Sequence, residues 1–336
     1  MAELSIGAVV VTYNSAHHIR NCLVALRRHC EDIVVVDNGS RDETVAIVNG
    51  FPGVQLLVNS DNRGFASAVN RGFARLEKDA VLLLNPDTVL WGGLDRLRTC
   101  LEDPRTGVAA GLLLSEDSTP QTGFSVRRFP GPITLAFETL GLNRLFPSNP
   151  INRRYRCLDV DLSKVQSIEQ PAGAFLLIRR SVWAEIGGFD ESFFPLWYED
   201  VDFLKRVAGR GYRIILQPAA LATHSGGHSL ESLTAERRRW YWYVSLLRYS
   251  AKHFGFMGFR LVCGAVAIGA AARTILAVMT EDDDHSTIGD FRVMWFAVRR
   301  LLGGRRWAAP AYPQHIAVPS KLAASSQLRS GQPNVL

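Results

Sequence analysis

The sequence has no paired cysteines, no dinucleotide-binding glycine motif and no long uncharged apolar run, and each absence removes a class of protein. In 336 residues its five cysteines (Cys22, Cys30, Cys100, Cys157 and Cys263) form neither a CxxC pair nor a metal-finger spacing. An odd, scattered set fits free thiols in a reducing compartment rather than a disulfide framework. No GxGxxG follows the first apolar run, which argues against a nicotinamide dehydrogenase. Phe259 to Met279 is largely apolar, but Arg260 and Arg273 leave an uncharged stretch too short to read as a membrane span. Met1-Ala2-Glu3-Leu4 carries neither the basic segment nor the cleavage site of a secretory leader, so the catalytic part is expected to face the cytoplasm.

What remains is the composition of a folded globular chain, 47% hydrophobic and 21% charged, which excludes a disordered one. The net charge of +6 suits an anionic partner such as a nucleoside diphosphate or an acidic lipid, and no nucleic acid is expected. That charge is unevenly placed. From Arg237 to Arg306 there are 12 Arg and Lys against 5 Asp and Glu.

Strand and helix patterns alternate through the first hundred residues. Ile6–Thr12, Ile33–Val36, Val54–Val58 and Ala80–Leu84 are short apolar runs rich in β-branched residues. Helical patterns over 18–29, 42–49 and 65–76 separate them. Such alternation predicts right-handed βαβ crossovers and a mainly parallel sheet flanked by helices, an α/β Rossmann-like fold. A helix over 94–101 and a strand over 108–114 complete a nucleotide-binding part, residues 1–114. Residues 115–165 show little periodicity and many Pro, Arg and Asn, as expected of a binding loop. They open an acceptor and catalytic part, 115–230, with strands over 175–178 and 213–217, a helix over 201–208 and a loop holding His224 and His228. Residues 231–307 read as a basic, aromatic, amphipathic helical extension that either lies in a membrane headgroup region or packs on the core. The segment 281–284 reads as an acidic loop, and the tail 308–336 as disordered.

Three carboxylate stations stand out. Asp87 follows the run Leu82-Leu83-Leu84-Asn85-Pro86, and Pro86 forces Asn85 out of the helical region. Asp87 then sits at the carboxyl end of a strand, where open α/β sheets place their ligands, and is the best candidate metal ligand. Asp37 ends another apolar run, before Asn38-Gly39-Ser40; its carboxylate can accept the imide N–H of a pyrimidine base or simply form a turn. Thr12, Tyr13 and Asn14, at the end of the first strand, would form the opposite wall of that base site. Asn62-Arg63-Gly64 opens a helix whose N–H groups, with Arg63, could meet a diphosphate, or Asn62 could cap it. Glu199 and Asp200 head a helix about 100° apart, so one of them, not both, faces the acceptor. His224 is the natural imidazole partner for a metal at Asp87.

Taken in order, several segments resemble family 2 glycosyltransferases, most closely the rhamnosyltransferase-like branch. They are Val11-Thr12-Tyr13-Asn14, Val36-Asp37-Asn38-Gly39-Ser40, Asn62-Arg63-Gly64-Phe65, Asn85-Pro86-Asp87, Gly173-Ala174-Phe175, Gly187-Gly188-Phe189-Asp190 and Tyr198-Glu199-Asp200-Val201-Asp202. The resemblance covers roughly residues 5–255. It implies a GT-A fold, a nucleotide-sugar donor, a divalent Mg²⁺ or Mn²⁺ and inversion at the anomeric carbon. It also implies roles: Asp37 for the base, Asp87 and His224 for the metal, Asp200 as general base, and Asn85 beside the diphosphate. One departure stands out: the family's DxD is Asn85-Pro86-Asp87, with a single carboxylate. The branch implies dTDP-L-rhamnose as donor, with UDP-hexoses as the alternative. It also implies a lipid-linked glycan acceptor met by a peripheral enzyme on the inner face of an anionic membrane. A catalytically silent nucleotide-binding scaffold is the rival from another class; it would keep Asp37 without needing Asp87 and Asp200.

Overall fold

The structure, a computed structural model, describes residues 3–226, 233–280 and 287–305. The acidic loop 281–284, His228 and the tail 308–336 lie outside the described residues. The first part runs β1 (Ile6–Thr12), α1 (Ala16–Leu26), β2 (Asp32–Asp37), α2 (Thr44–Asn49), β3 (Val54–Val58), α3 (Phe65–Phe73) and β4 (Ala80–Leu84). It continues with β5 (Thr88–Gly92), α4 (Leu94–Cys100) and β6 (Thr106–Leu114). The middle holds β7 (Val126–Arg127), α5 (Pro132–Thr139), α6 (Leu142–Leu145), α7 (Pro150–Tyr155), β8 (Gln166–Ser167) and β9 (Gln170–Pro171). Then come β10 (Phe175–Arg179), α8 (Arg180–Ile186), α9 (Glu199–Gly209) and β11 (Arg213–His224). Three longer helices follow: α10 (Ala235–His253), α11 (Phe256–Met279) and α12 (Thr287–Gly303).

One sheet, ordered β3-β2-β1-β4-β10-β6-β11-β5 with β8 beside β11, carries the fold. Strands β1, β2, β3, β4, β6 and β11 run one way; β5, β8 and β10 run against them. Both faces are covered, so the central strands read as continuous apolar runs while their side chains alternate between two cores. Ala8 and Val10 pack with Ile19, Leu23 and Leu97 on one side. Val9 and Val11 pack with Val69, Phe73, Trp183 and Phe203 on the other. The cysteines are free thiols, all buried but the half-buried Cys100.

Two expectations are corrected. The stretch 115–165 is not one irregular loop, because it contains α5, α6 and α7. Helices of four to eight residues leave no readable period; their ends are the visible signal, with Pro132 and Pro150 in first turns and Asn149 capping Asn152 N–H. Second, β11 runs on through Pro218 and a register shift between Gln217 and Leu221, so His224 ends a strand rather than sitting in a loop. A proline without an N–H belongs at such a bulge.

The C-terminal helices pack on this core. Tyr249 of α10 is fully buried against Tyr198, at 5.3 Å between ring centroids. Asp202 of α9, wholly buried, meets Arg206 at 2.8 Å, Lys252 at 2.8 Å and His253 at 2.7 Å. Asp290 of α12, also buried, joins Arg239 of α10 at 3.2 Å and Arg273 of α11 at 3.3 Å. Trp240 rests on Phe296, whereas Trp295 remains exposed.

Candidate active site

Parallel strands of one sheet end on one edge, and that edge collects Thr12, Asp37, Asn85, Asp87 and His224. The meeting of Asp87 and His224 follows from the topology. Chain direction reverses after Asp87 into β5, which pairs antiparallel with the end of β11 and sets Thr88 opposite His224. Ser225 N–H donates to the Asp87 carbonyl at 3.1 Å, closing the pair. His224 Nε2 then lies 3.5 Å from Asp87 Oδ1, with both side chains almost buried. Gln121 grips His224 from behind, its Oε1 3.2 Å from Nδ1 and its Nε2 donating to the His224 carbonyl at 2.7 Å. Such a grip turns Nε2 toward Asp87, as second partners of metal-bound histidines do.

At the nucleotide end the polar side chains are tied into turns. Asp37 is fully buried, and its carboxylate accepts from the N–H groups of Gly39 (3.1 Å) and Ser40 (2.9 Å) and from the Ser40 hydroxyl. This is the turn alternative, and Gly39 is needed there: at φ +81° its Cβ would lie 3.1 Å from the Asp61 backbone. Asn14 stitches the same corner together, donating to Ser40 Oγ at 2.8 Å and accepting from Arg41 N–H at 2.8 Å. Three N–H groups at the head of α3 have partners within the protein. Gly64 N–H goes to Asn62 Oδ1 (2.9 Å), Phe65 N–H to the Pro195 carbonyl (2.8 Å) and Arg63 N–H to Asn38 Oδ1 (3.3 Å). Asn62 therefore forms a turn ahead of the helix, whose N-cap is Gly64, and Arg63 is an exposed side chain paired with Asp61. Thr12, Tyr13, Asn38 and Asn62 are the side chains that reach the cavity at this end.

The acidic pair is delivered by strained backbone. Trp197 and Tyr198 hold φ of 74° and 69°, left-handed values that are rare for large side chains and common near functional sites. The bend starts α9 at Glu199 and puts both Glu199 and Asp200 on the cavity wall. Asp200 accepts from Gly173 N–H at 3.0 Å and Val201 N–H at 2.8 Å. A Cβ on Gly173 would sit 2.9 Å from Asp200 Oδ2, so glycine is what lets that carboxylate seat. Burial raises the Asp200 pKa, opposed by its backbone hydrogen bonds and by Arg127. Burial, then the charge of Asp200, raises Glu199 well above the usual range. Asp202 behaves oppositely: burial pushes it up, but His253, Arg206 and Lys252 outweigh that and hold it low.

Thr12, Asn85, Asp87, His224, Glu199 and Asp200 line one cavity of about 770 Å³. Four buried polar atoms on its wall have no hydrogen-bond partner: Thr12 Oγ1, Asp87 Oδ1, Gln170 Oε1 and Glu199 Oε2. Buried polar atoms are normally satisfied, so four around one hollow mark where a polar ligand goes. The sequence reading did not single out Gln121, Phe124, Arg127 or Gln170. Their common signal is position in or just after the aperiodic 115–165 stretch. Among the described residues no three acidic, histidine or cysteine side chains cluster as a metal cage. Asp87 and His224 could supply two ligands to a cation that takes its others from phosphates and water.

Residues 8–161 match the family described as Glycosyl transferase family 2. The chain is 32% identical over 243 residues to the N-acetylglucosaminyl-diphospho-decaprenol L-rhamnosyltransferase of Mycobacterium tuberculosis, covering 66% of this chain and 76% of that protein. It is 26% identical over 258 residues to rhamnosyltransferase WbbL of Escherichia coli, covering 73% of this chain and 92% of that one. Among solved structures, the mannosyltransferase PcManGT from Pyrobaculum calidifontis, in complex with GDP-Man and Mn²⁺, shares the fold at TM-score 0.52 and 18% identity, over 90% of this chain and 88% of that one. The sheet order described above is thus a GT-A fold. With a family match over residues 8–161 and a relative 32% identical over 243 residues, the chain belongs to glycosyl transferase family 2, in its rhamnosyltransferase-like branch, and is a glycosyltransferase.

Proposed function

We propose that the protein is an inverting rhamnosyltransferase that moves L-rhamnose from dTDP-L-rhamnose to a lipid-diphosphate-linked sugar at the membrane surface. The observation that carries the reading is the shared cavity, with an under-partnered carboxylate at the metal end and a base-like carboxylate across from it. Two relatives named as rhamnosyltransferases support the sugar, and one of them, named for a diphospho-decaprenol substrate, supports the acceptor class. Thr12, Tyr13, Asn38 and Asn62 would receive the nucleoside, with Asp37 shaping the loop from behind. Asp87 and His224 would hold Mg²⁺ or Mn²⁺, with Asn85 beside them. Such an ion, when bound, neutralises the diphosphate leaving group. Asp200 accepts the proton of the acceptor hydroxyl as that oxygen bonds to C1 of rhamnose and the C1–O bond to the diphosphate breaks. Glu199, its pKa raised by burial, faces the same cavity beside Asp200.

The same reading places the enzyme peripherally on the cytoplasmic face of an anionic membrane. Helix α11 is long and apolar enough to cross a bilayer. Against spanning, a Cβ at Gly269 would lie 2.1 Å from the Thr139 carbonyl, and Arg273 reaches the buried Asp290. Ile268, Ile275 and Met279 remain exposed on α11, and Trp295 on α12, as an apolar strip suited to the headgroup boundary. The test is transfer from a nucleotide-sugar panel to a short-prenyl diphosphoryl N-acetylglucosamine, with and without EDTA, alongside flotation with anionic liposomes. Turnover confined to dTDP-rhamnose and lost on chelation is expected. Transfer from UDP-hexoses alone, or indifference to EDTA, would overturn the donor or metal assignment, and a chain that never floats would overturn the membrane one.

A further inference from the structure

The cavity does not end at the acidic pair. From Asp87 a row of side chains leads away from the nucleoside end: His224 stacks on Phe124 at 5.3 Å between centroids, and Arg127 lies 5.7 Å from the ring centres of both Phe124 and Tyr155. Arg127 is anchored by Nε donating to the Gly123 carbonyl at 2.7 Å. Its charge is felt at Asp200, whose pKa it lowers. Among the described residues no carboxylate lies within ion-pair distance of Arg127, whereas its neighbour Arg156 is matched by Glu138 at 3.4 Å. A half-buried guanidinium fixed between two rings, without a counter-ion, is arranged for a planar two-pronged anion. Beyond it, Tyr241 and Trp242 of α10 line the cavity and offer an apolar exit.

Resting on the lipid-linked acceptor reading above, we propose that Arg127, braced by Phe124 and Tyr155, is the subsite for the acceptor's diphosphate, distinct from the donor diphosphate at Asp87. In this arrangement the acceptor's sugar reaches Asp200 while its prenyl chain leaves past Trp242. The arrangement also explains why a basic residue stands beside a catalytic base: the acceptor brings its own negative charge, and Arg127 offsets it.

The test is a titration of full-length protein with geranyl diphosphate, read by tryptophan fluorescence, with dTDP and Mg²⁺ already saturating. Binding that persists under saturating nucleotide is expected, with affinity falling about ten- to a hundredfold in Arg127→Gln, the usual weight of a charged hydrogen-bonding partner. Arg127→Lys, which keeps the charge but not the fork, should fall between the two, and a matching melting curve establishes that both variants are folded. Geranyl diphosphate displaced by dTDP in the wild type would mean that the donor site is being read. Unchanged binding in a folded Arg127→Gln would place the anion elsewhere. Either result overturns the subsite. Failure of the donor or acceptor sugar assignment would show in the transfer assay and leave this titration intact.

Discussion

The two sides of α9 bury acidic groups in opposite ways. On the side facing α10, Asp202 has Arg206, Lys252 and the His253 imidazole within 2.8 Å. On the cavity side, two and three residues earlier, Glu199 Oε2 has no hydrogen-bond partner among the described residues, and Asp200 has two backbone N–H groups and the more distant charge of Arg127. The same contrast recurs across the chain. Asp290 is paired with Arg239 and Arg273, while Asp87 Oδ1 is buried without a hydrogen bond. A carboxylate surrounded by cations holds helices together and stays ionised. One left short of partners is poised to exchange a proton or to take a ligand. Position in the acidic run Tyr198-Glu199-Asp200-Val201-Asp202 does not separate the two roles; the partners do.

The largest expected effect tests that division directly. Asp200→Asn should lower kcat by about 10²–10⁴-fold with the donor KM little changed, as removal of a positioned general base does. Asp202→Asn should do the reverse, with turnover per folded molecule close to wild type and a stability loss of about 3 kcal/mol. That figure takes the lower end for a broken buried ion pair, because Arg206 and Lys252 keep some solvent contact. Initial rates and urea denaturation on both variants settle it. A stable Asp202→Asn with kcat down a hundredfold would erase the distinction between the two faces of α9.

Next comes the metal end. Asp87→Ala should abolish the enhancement of dTDP binding by Mn²⁺, and His224→Ala should weaken it, by about 10–100-fold in affinity. Gln121→Ala, which frees the Nδ1 side of the imidazole, belongs in the same range, since partners that orient a metal-bound histidine carry comparable weight. Calorimetric titrations with and without Mn²⁺ measure this. Equal dTDP affinity in both conditions for the wild-type protein would remove the metal from Asp87.

The alternating part of the fold was readable because each strand and helix there is long enough to show its own period and sits between clear turn residues. The acidic stations were readable because apolar runs end on them. Partnership was not. The local run offers Asp37 both as a base acceptor and as a turn former without choosing between them, and does not say that Arg63 will point outward to Asp61. The Arg127–Phe124–His224 row joins residues a hundred positions apart through the pairing of β6 with β11 and the bonds of Gln121 to Leu113 and His224, which a one-dimensional pattern does not carry. The choice between membrane and core for α10 was also tertiary. Its aromatic face is spent on Tyr198 and on the cavity, while the exposed apolar strip falls on α11 and α12.

The smallest effect is the sharpest probe of the comparison, because the two sides of α9 should respond to pH with opposite signs. Glu199 has its pKa raised by burial, so above the ordinary value of 4.5 the unfolded chain releases a proton that the native state still holds. Stability from this site is therefore whole below that value and is lost as pH rises, by at most about 1.4 kcal/mol per pH unit, until the native group also ionises. Asp202, held low by its cations, contributes stability that is present above its ordinary 3.8 and is lost as pH falls through its native pKa. Above the ordinary carboxylate range the Asp202 contribution is constant, so a falling stability there reports the two cavity-side carboxylates, Glu199 and Asp200, and comparison with Glu199→Gln isolates the first. Glu199→Gln keeps the size and the hydrogen-bond donor but cannot ionise, so its stability relative to wild type should grow from pH 5 to pH 8. Urea midpoints for the two proteins at pH 5, 6.5 and 8 measure the difference. A constant difference would mean that Glu199 is already ionised in the native cavity, and that the cavity side of α9 holds its charges as firmly as the seam does.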